Sequence, residues 1–463
     1  MKEETMSETS SLDAQWYVQI QPDWGVAEDS CWIDVYNRAV KLPTIKAQEL
    51  IGQDDKCLTA KVHSCPSSQY QLPLSTSFHA TGAPAVVQVL DKGTSWVKIG
   101  PTDAKKPSEA SMQLRPTVFQ VPHATVDVPM GSTDSKASGA RAMRLLQLNA
   151  VDVSFDERFV VLGGSDGVSM LWDRQNRTQM LPLQGHVADV TSVRFYPSSK
   201  VVLTGSLDFT LRIWSIDGRC AAVMKGHRGG VEDIAILGRG RNVLSCGTDG
   251  FIQLWNCGTQ DVVAKWANDD QSPVHCLAVL DDTARRLTKG TSPPCDSGKE
   301  AETDGKVLFA GLDNGETLGV DVRTRAGVLN IDGLAGSIIS CAATTATASS
   351  PMLFTGSEDG LLTAWDLRHT SVPLHALSRS SSAIHSIVVS TLPANDSVST
   401  WTAHGDGGCC SWSNFQGIPH ICTELTGPQY DAVRGVALAG QTSRLFTACR
   451  DGRLREYIPH IVP

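Results

Sequence analysis

Several kinds of feature are scarce in this chain of 463 residues, and each absence narrows what it can be. No stretch reaches the roughly 20 consecutive apolar residues that cross a bilayer as a helix. Residues 1–30 also lack the apolar core of a secretory leader. The expectation is a protein that starts and stays inside the cell, in the cytoplasm and also in the nucleus, with no membrane partner. The 13 cysteines include no Cys-x-x-Cys pair, which argues against the common zinc and dithiol frameworks. Cys246, Cys276, Cys341 and Cys449 fall in predicted strands and read as reduced, small apolar fillers. Cys409 and Cys410 are neighbours in a strand and face opposite ways, so they do not share a metal. Charge of one sign is missing too. Residues 1–140 carry 12 basic and 16 acidic side chains and the rest 28 and 33, for a net charge of −9. With no basic stripe, nucleic acid is not an expected partner. The one Gly-Lys ending that suggests a phosphate loop, Gly290 to Lys299, has the wrong spacing and no following Ser or Thr. No cofactor and no metal are expected.

What is present is periodic. The stretches 185–215 and 226–256 repeat one pattern: Gly-His, an apolar run, a turn ending in Asp, then a strand ending in Trp. Turn aspartates recur at Asp166, Asp208, Asp249, Asp313, Asp359, Asp406 and Asp451, at intervals of 42, 41, 64, 46, 47 and 45 residues. The strand-ending positions Trp172, Trp214, Trp255, Val320, Trp365, Trp412 and Tyr457 keep step with them. A period of about 40–45 residues with this signature is that of a WD-repeat blade. The fold class expected is all-β: a seven-bladed WD-repeat β-propeller over residues 145–463, with a small β-rich N-terminal domain. The long interval is explained by a polar loop, residues 281–305, inserted in blade four.

The recurring polar residues satisfy one another in the interior. A loop His can donate to the turn Asp, the Asp can pair with a hydroxyl on the second strand, and that hydroxyl can meet the indole N–H of the third-strand Trp. Blade two carries the set as His186, Thr204, Asp208 and Trp214. Blade three carries it as His227, Ser245, Asp249 and Trp255. Blade five keeps only Thr355, Asp359 and Trp365. A Ser-His-Asp hydrolase needs its hydroxyl at a surface beside an oxyanion hole. Here the hydroxyl is mid-strand and the set repeats at a fixed period, so the expected role is scaffolding and no catalytic residue is assigned.

Ahead of the propeller, residues 1–15 are expected to be disordered. Residues 16–78 hold Trp16, Trp24 and Trp32 among short alternating runs and read as the small β-rich domain. Residues 79–144 read as an insertion with a hairpin formed by Ala85–Leu90 and Trp96–Ile99. The seventh blade has only three strands of its own, so its edge needs a strand from upstream. Gln71–Phe78 is the first choice and Thr117–Val121 the second. Asp189, Asp233, Glu358 and Asp431 lie in or beside loops expected on one rim and are the candidate partner-binding residues.

Five segments carry a narrower resemblance: 226–230 (GHRGG), 240–243 (GRNV), 254–258 (LWNCG), 424–427 (ELTG) and 449–452 (CRDG). With 19–24 (QIQPDW) and 64–66 (SCP), they resemble the proteasomal ATPase-associated factor family of WD-repeat proteins. The resemblance departs in residues 79–140 and in the long blade-four loop. It implies an assembly chaperone of the proteasome regulatory particle. Such a protein binds the C-terminal domain of a base ATPase subunit and delays docking onto the core particle, and it is expected to be a monomer before complex formation. Two Asp-x-Arg elements, Asp321–Arg323 and Asp366–Arg368, support an alternative: a substrate receptor of a cullin ubiquitin ligase. A general protein-interaction scaffold is a further alternative.

Overall fold

The computed structural model describes residues 117–129, 145–176, 180–267, 270–281, 300–333, 336–347, 350–392, 397–428, 430–440 and 442–458. It also gives the backbone of eight short strands between residues 15 and 101. Seven sheets of antiparallel strands form a β-propeller, each blade numbered here from its innermost strand outwards. Blade two shows the plan: Val190–Phe195, Val201–Ser206, Thr210–Ser215 and Cys220–Lys225 pair in chain order. Because strands alternate in direction, the loop entering each blade and the turn between its second and third strands lie on one face.

The second strands are buried along their whole length, as in Phe159–Gly164 and Asn242–Gly247. Both sides of these sheets meet a neighbouring blade, so near-continuous apolar runs replace simple alternation. Among the described residues the core divides into seven apolar clusters, each shared by two adjacent blades. The strand-ending residue always faces the preceding blade. Trp214 packs with Phe159 and Leu171 of blade one, Trp255 with Leu203 and Leu211 of blade two, and Tyr457 with Trp401 of blade six. Truncating such a ring to Ala typically costs about 3–5 kcal/mol.

Ring closure differs from expectation. The fourth strand of blade seven is Ala124–Asp127, antiparallel to Arg453–Tyr457. The expected closing segments lie elsewhere. Thr117–Gln120 runs parallel to the outer strand of blade six, His420–Leu425. Ser77–His79 pairs with Pro84–Val89, which pairs in turn with Trp96–Pro101, at the far edge of that same sheet. The three-residue link, residues 121–123, lets the chain step from blade six to blade seven, so consecutive strands cap adjacent blades. Residues 117–129 therefore belong with the propeller. Gln15–Ile20 and Ile33–Arg38 form an antiparallel pair. Residues 282–299, most of the blade-four loop, and residues 1–14 lie outside the described residues.

The turn position in blade four is also corrected. Gly315 N–H bonds to Leu312 O as Gly250 N–H does to Gly247 O, so Asn314, and not Asp313, matches Asp249. The Asn314 carbonyl oxygen accepts the N–H of Glu316 at 3.0 Å, the bond Asp208 accepts from Thr210 in blade two. Asn and Asp both cap a turn in this way.

The interior relay has a different order from the one expected. In blade two His186 stands in the middle: Nδ1 is 2.8 Å from Asp208 and Nε2 is 2.7 Å from Thr204 Oγ1. Trp214 donates to the same hydroxyl at 2.9 Å. Blade three repeats this, with His227 between Asp249 (3.0 Å) and Ser245 (2.6 Å), and Trp255 donating to Ser245 at 2.8 Å. One proton arrangement satisfies every group. The indole donates to the hydroxyl, the hydroxyl to a neutral imidazole at Nε2, and the imidazole Nδ1–H to the carboxylate. Burial holds the pKa of both histidines below the ordinary value. Burial alone would raise Asp208, but the bonds from Thr210 and His186 outweigh it and keep the carboxyl low.

Other blades use substitutes. Blade five has no loop His; Trp365 donates to Thr363, which meets Thr355, and Asp359 instead caps the Gly336 N–H. In blade six Trp412 donates to Thr402, which pairs with His404 of the same strand at 2.9 Å. The buried Arg379 takes the place of the loop His, bonding Asp406 at 2.8 Å and Glu424 at 2.5 Å. In blade one the Trp172 indole N–H has no partner among the described residues.

Two predictions follow from these interiors. Trp214→Phe removes a satisfied donor and Trp172→Phe an unsatisfied one. The first variant should therefore lose about 1–2 kcal/mol more stability than the second in urea unfolding, and equal losses would contradict the relay. The second concerns acid. His186, His227, His375, His385 and His404 all have pKa values lowered by burial, to about 3 for His385 and about 4 for His404. The unfolded chain takes up these protons first, so stability is complete above about pH 6.5 and falls as pH drops from there towards 4. The urea midpoint should shift down across that window; a flat profile from pH 7 to 4.5 would refute the burial of neutral imidazoles.

Candidate functional site

One irregularity recurs in every blade. On each innermost strand the register slips by one residue: Val190 faces Ser206 and Ser192 faces Gly205, leaving Thr191 as the extra residue. The same slip falls at Asn149, Glu232, His275, Ile339, His385 and Arg434. A bulge of this kind re-aims the extra side chain. All seven residues line the central channel, a space of about 610 Å³ opening on the loop-bearing face. The sequence carried a signal for this ring: apolar residues three apart instead of two, as in Val190/Val193, Val231/Ile234, Val274/Leu277 and Val433/Val436.

The channel is electrically lopsided. Among the described residues all its acidic side chains, Asp189, Glu232, Asp233, Asp313 and Glu358, come from blades two to five, which also contribute Arg194 and His275. Blades six and seven contribute His385, Arg434 and Arg450. Burial raises the pKa of Glu232, with His275 and Arg434 acting against it. Asp313 pairs with His275 at 3.0 Å, which is the principal cause of its lowered pKa.

The four acidic candidates do not form one set. Asp189 lines the channel and caps the N–H of Asp166 at 3.0 Å. Glu358 also lines the channel and is exposed. Asp431 is exposed in the loop between blades six and seven, outside the channel lining. Asp233 is no free rim residue. It accepts from Ser192 of blade two at 2.9 Å, from Ile234 N–H at 2.8 Å and from Leu277 N–H of blade four at 3.0 Å. It follows the bulge directly and is turned into the joint between blades, where it cross-links three of them. Asp152 acts likewise in blade one, accepting Phe195 N–H at 2.7 Å.

The relay hydroxyls Thr204 and Ser245 are fully buried, and the His186 and His227 side chains have 0% exposure. No substrate reaches them, so these sets brace sheets. Among the described residues no group of three His, Cys, Asp or Glu side chains is placed to hold a metal ion. The two Asp-x-Arg elements are engaged within the chain: Arg323 pairs with Asp304 at 2.7 Å and Arg368 with Asp366 at 2.5 Å.

Beside the channel mouth the same face exposes apolar side chains: Val187, Leu207 and Phe209 in blade two and Tyr430 before blade seven. Phe209 has φ 69°. The equivalent turn residues are Gly in the other blades, for example Gly250 (φ 72°) and Gly360 (φ 79°). A bulky residue in the left-handed region is strained, and such strain collects at functional positions.

Residues 177–215 and 218–256 match the WD domain, G-beta repeat family. The chain is 31% identical over 244 residues to the 26S proteasome regulatory subunit RPN14 of Saccharomyces cerevisiae, covering 51% of this chain and 57% of that one. It is 27% identical over 223 residues to pre-mRNA-processing factor 19 homolog 2 of Arabidopsis thaliana, covering 47% and 38%. It is 23% identical over 252 residues to a guanine nucleotide-binding protein subunit beta-like protein of Encephalitozoon cuniculi, covering 52% and 70%. The aligned region thus spans little more than half of the first relative's length and less of the second's. On the repeat matches and the ring of seven blades, the chain is a WD-repeat β-propeller.

Proposed function

We propose that this propeller is a non-catalytic assembly chaperone. It binds a base ATPase subunit of the 26S proteasome regulatory particle through the channel-mouth face and delays that subunit's docking onto the core particle. The likeness to a 26S proteasome regulatory subunit supports the assignment to this machinery, together with the segments that resemble the ATPase-associated factors. The observation that carries the choice of face is the apolar group Val187, Leu207 and Phe209 beside the acidic Asp189.

The physical case rests on pre-organisation. The loop bearing Val187 and the turn bearing Leu207 and Phe209 are tied together by Asp208, which accepts from Val187 N–H and His186, and by the bond from Leu207 N–H to Asp189 O. Little ordering remains to be done when a partner docks, so apolar burial and charge pairing convert more fully into affinity. An aromatic anchor with acidic neighbours suits a partner surface that is apolar at its centre and basic around it.

The test uses two variants of the full chain in pull-downs scored for identified base ATPase subunits. Phe209→Gly relieves the strained backbone, so its melting temperature should not fall, while capture should drop about tenfold. Reversal of Asp189 and Glu358 to Lys should weaken capture, most strongly at low salt. Undiminished capture by both variants would exclude this face. Failure of the parent chain to capture any base ATPase would exclude the proteasomal assignment.

A further inference from the structure

The blade-six and blade-seven side of the channel holds a second arrangement, facing the acidic side. Arg434 and His385 are the bulged residues of their innermost strands, and Arg450 stands in the turn after the second strand of blade seven. All three line the channel. Arg434 Nη1 lies 3.3 Å from His385 Nδ1. Burial first, then the charges of Arg434, His404 and Arg450, push the His385 pKa down to about 3. The neutral imidazole therefore accepts from the guanidinium and orients it.

Three other arginines of this propeller are compensated by carboxylates. Arg379 meets Asp406 and Glu424, Arg455 meets Asp451, and Arg174 meets Glu456. Arg434 and Arg450 differ. Neither has an ion-pair partner among the described residues, and Arg434 Nε, like Arg379 Nε and Arg174 Nε, is buried without an acceptor among them. Arg450 is near enough to lower the pKa of Arg434, after burial itself. Glu232 is the carboxylate that acts on Arg434, and burial raises its own pKa. Two like charges on one side of the channel, with the Arg434 guanidinium partly desolvated, repel each other unless an anion joins them.

We infer that Arg434 and Arg450, with His385 positioning Arg434, form a binding site for a phosphate monoester. The group carries nearly two negative charges at neutral pH and three strong acceptor oxygens, which match two guanidinium forks better than a carboxylate does. The channel admits the bearer of the phosphate, either a small phosphorylated molecule or a phosphorylated side chain of a protein.

Calorimetry on the full chain at constant ionic strength tests this, with inorganic phosphate, free phosphoserine, a phosphoserine peptide and its unphosphorylated twin as probes. Phosphate-bearing probes should bind where chloride and the unphosphorylated peptide do not. The tighter of phosphoserine and its peptide identifies the bearer. Arg450 is exposed, so Arg450→Gln should fold normally and weaken binding about tenfold. Glu232→Gln removes the competing carboxylate and should tighten it. A response no larger than that to chloride, or affinity unchanged in Arg450→Gln, would overturn the site.

Discussion

Leaving a buried indole N–H without an acceptor is costly, and the way this chain pairs most of its strand-ending indoles organises the rest of the molecule. In blades two and three the acceptor is a hydroxyl on the second strand, and satisfying it draws in a loop imidazole and a turn carboxylate. Four groups from distant parts of a blade are fixed at once. The carboxylate also gathers the backbone N–H groups of the incoming loop, Val187 to Asp208 and Arg228 to Asp249. The exposed face is therefore an extension of the interior relay. Loops that would otherwise wander are held at fixed height around the channel, which is what a docking surface needs.

The blade count was legible because the relay is chemically demanding. Few residue types can pair a buried indole, so Trp and the turn Asp recur at readable spacing. Legibility failed where another residue does the same physical work. Asn314 caps its turn as well as an Asp would, which made Asp313 look like the turn residue. Arg379 replaces a loop His by reaching two carboxylates, Asp406 and Glu424, that are far apart in sequence. The closing strand was hidden for a different reason. Ala124–Asp127 is held by backbone pairing along its length, and backbone pairing leaves no side-chain signature.

The candidate site was half legible. Acidic side chains near the rim could be named, but whether a carboxylate faces solvent or a neighbouring blade depends on the bulge. A slip of one residue sends Glu232 into the channel and Asp233 into the joint between blades. The ring of seven bulges turns ordinary strand positions into a lining whose chemistry varies freely, from Ile339 to Arg434, while the sheets stay alike. Scaffold and recognition are thereby separated at the level of single residues: the relay sets the frame, and the bulged positions carry the differences.

The closing strand has a consequence for how the protein is made. Ala124–Asp127 emerges from the ribosome long before its partner Arg453–Tyr457; the ion pair between Asp127 and Arg453 joins residues 326 apart. At ordinary elongation rates that delay is on the order of tens of seconds. Throughout it the strand's hydrogen-bonding groups have no native mate, and the ring stands open like an unbuckled belt. Nascent chains crowded on one messenger could fasten each other's rings in that interval, so the yield of correctly closed propeller should depend on how sparsely it is translated.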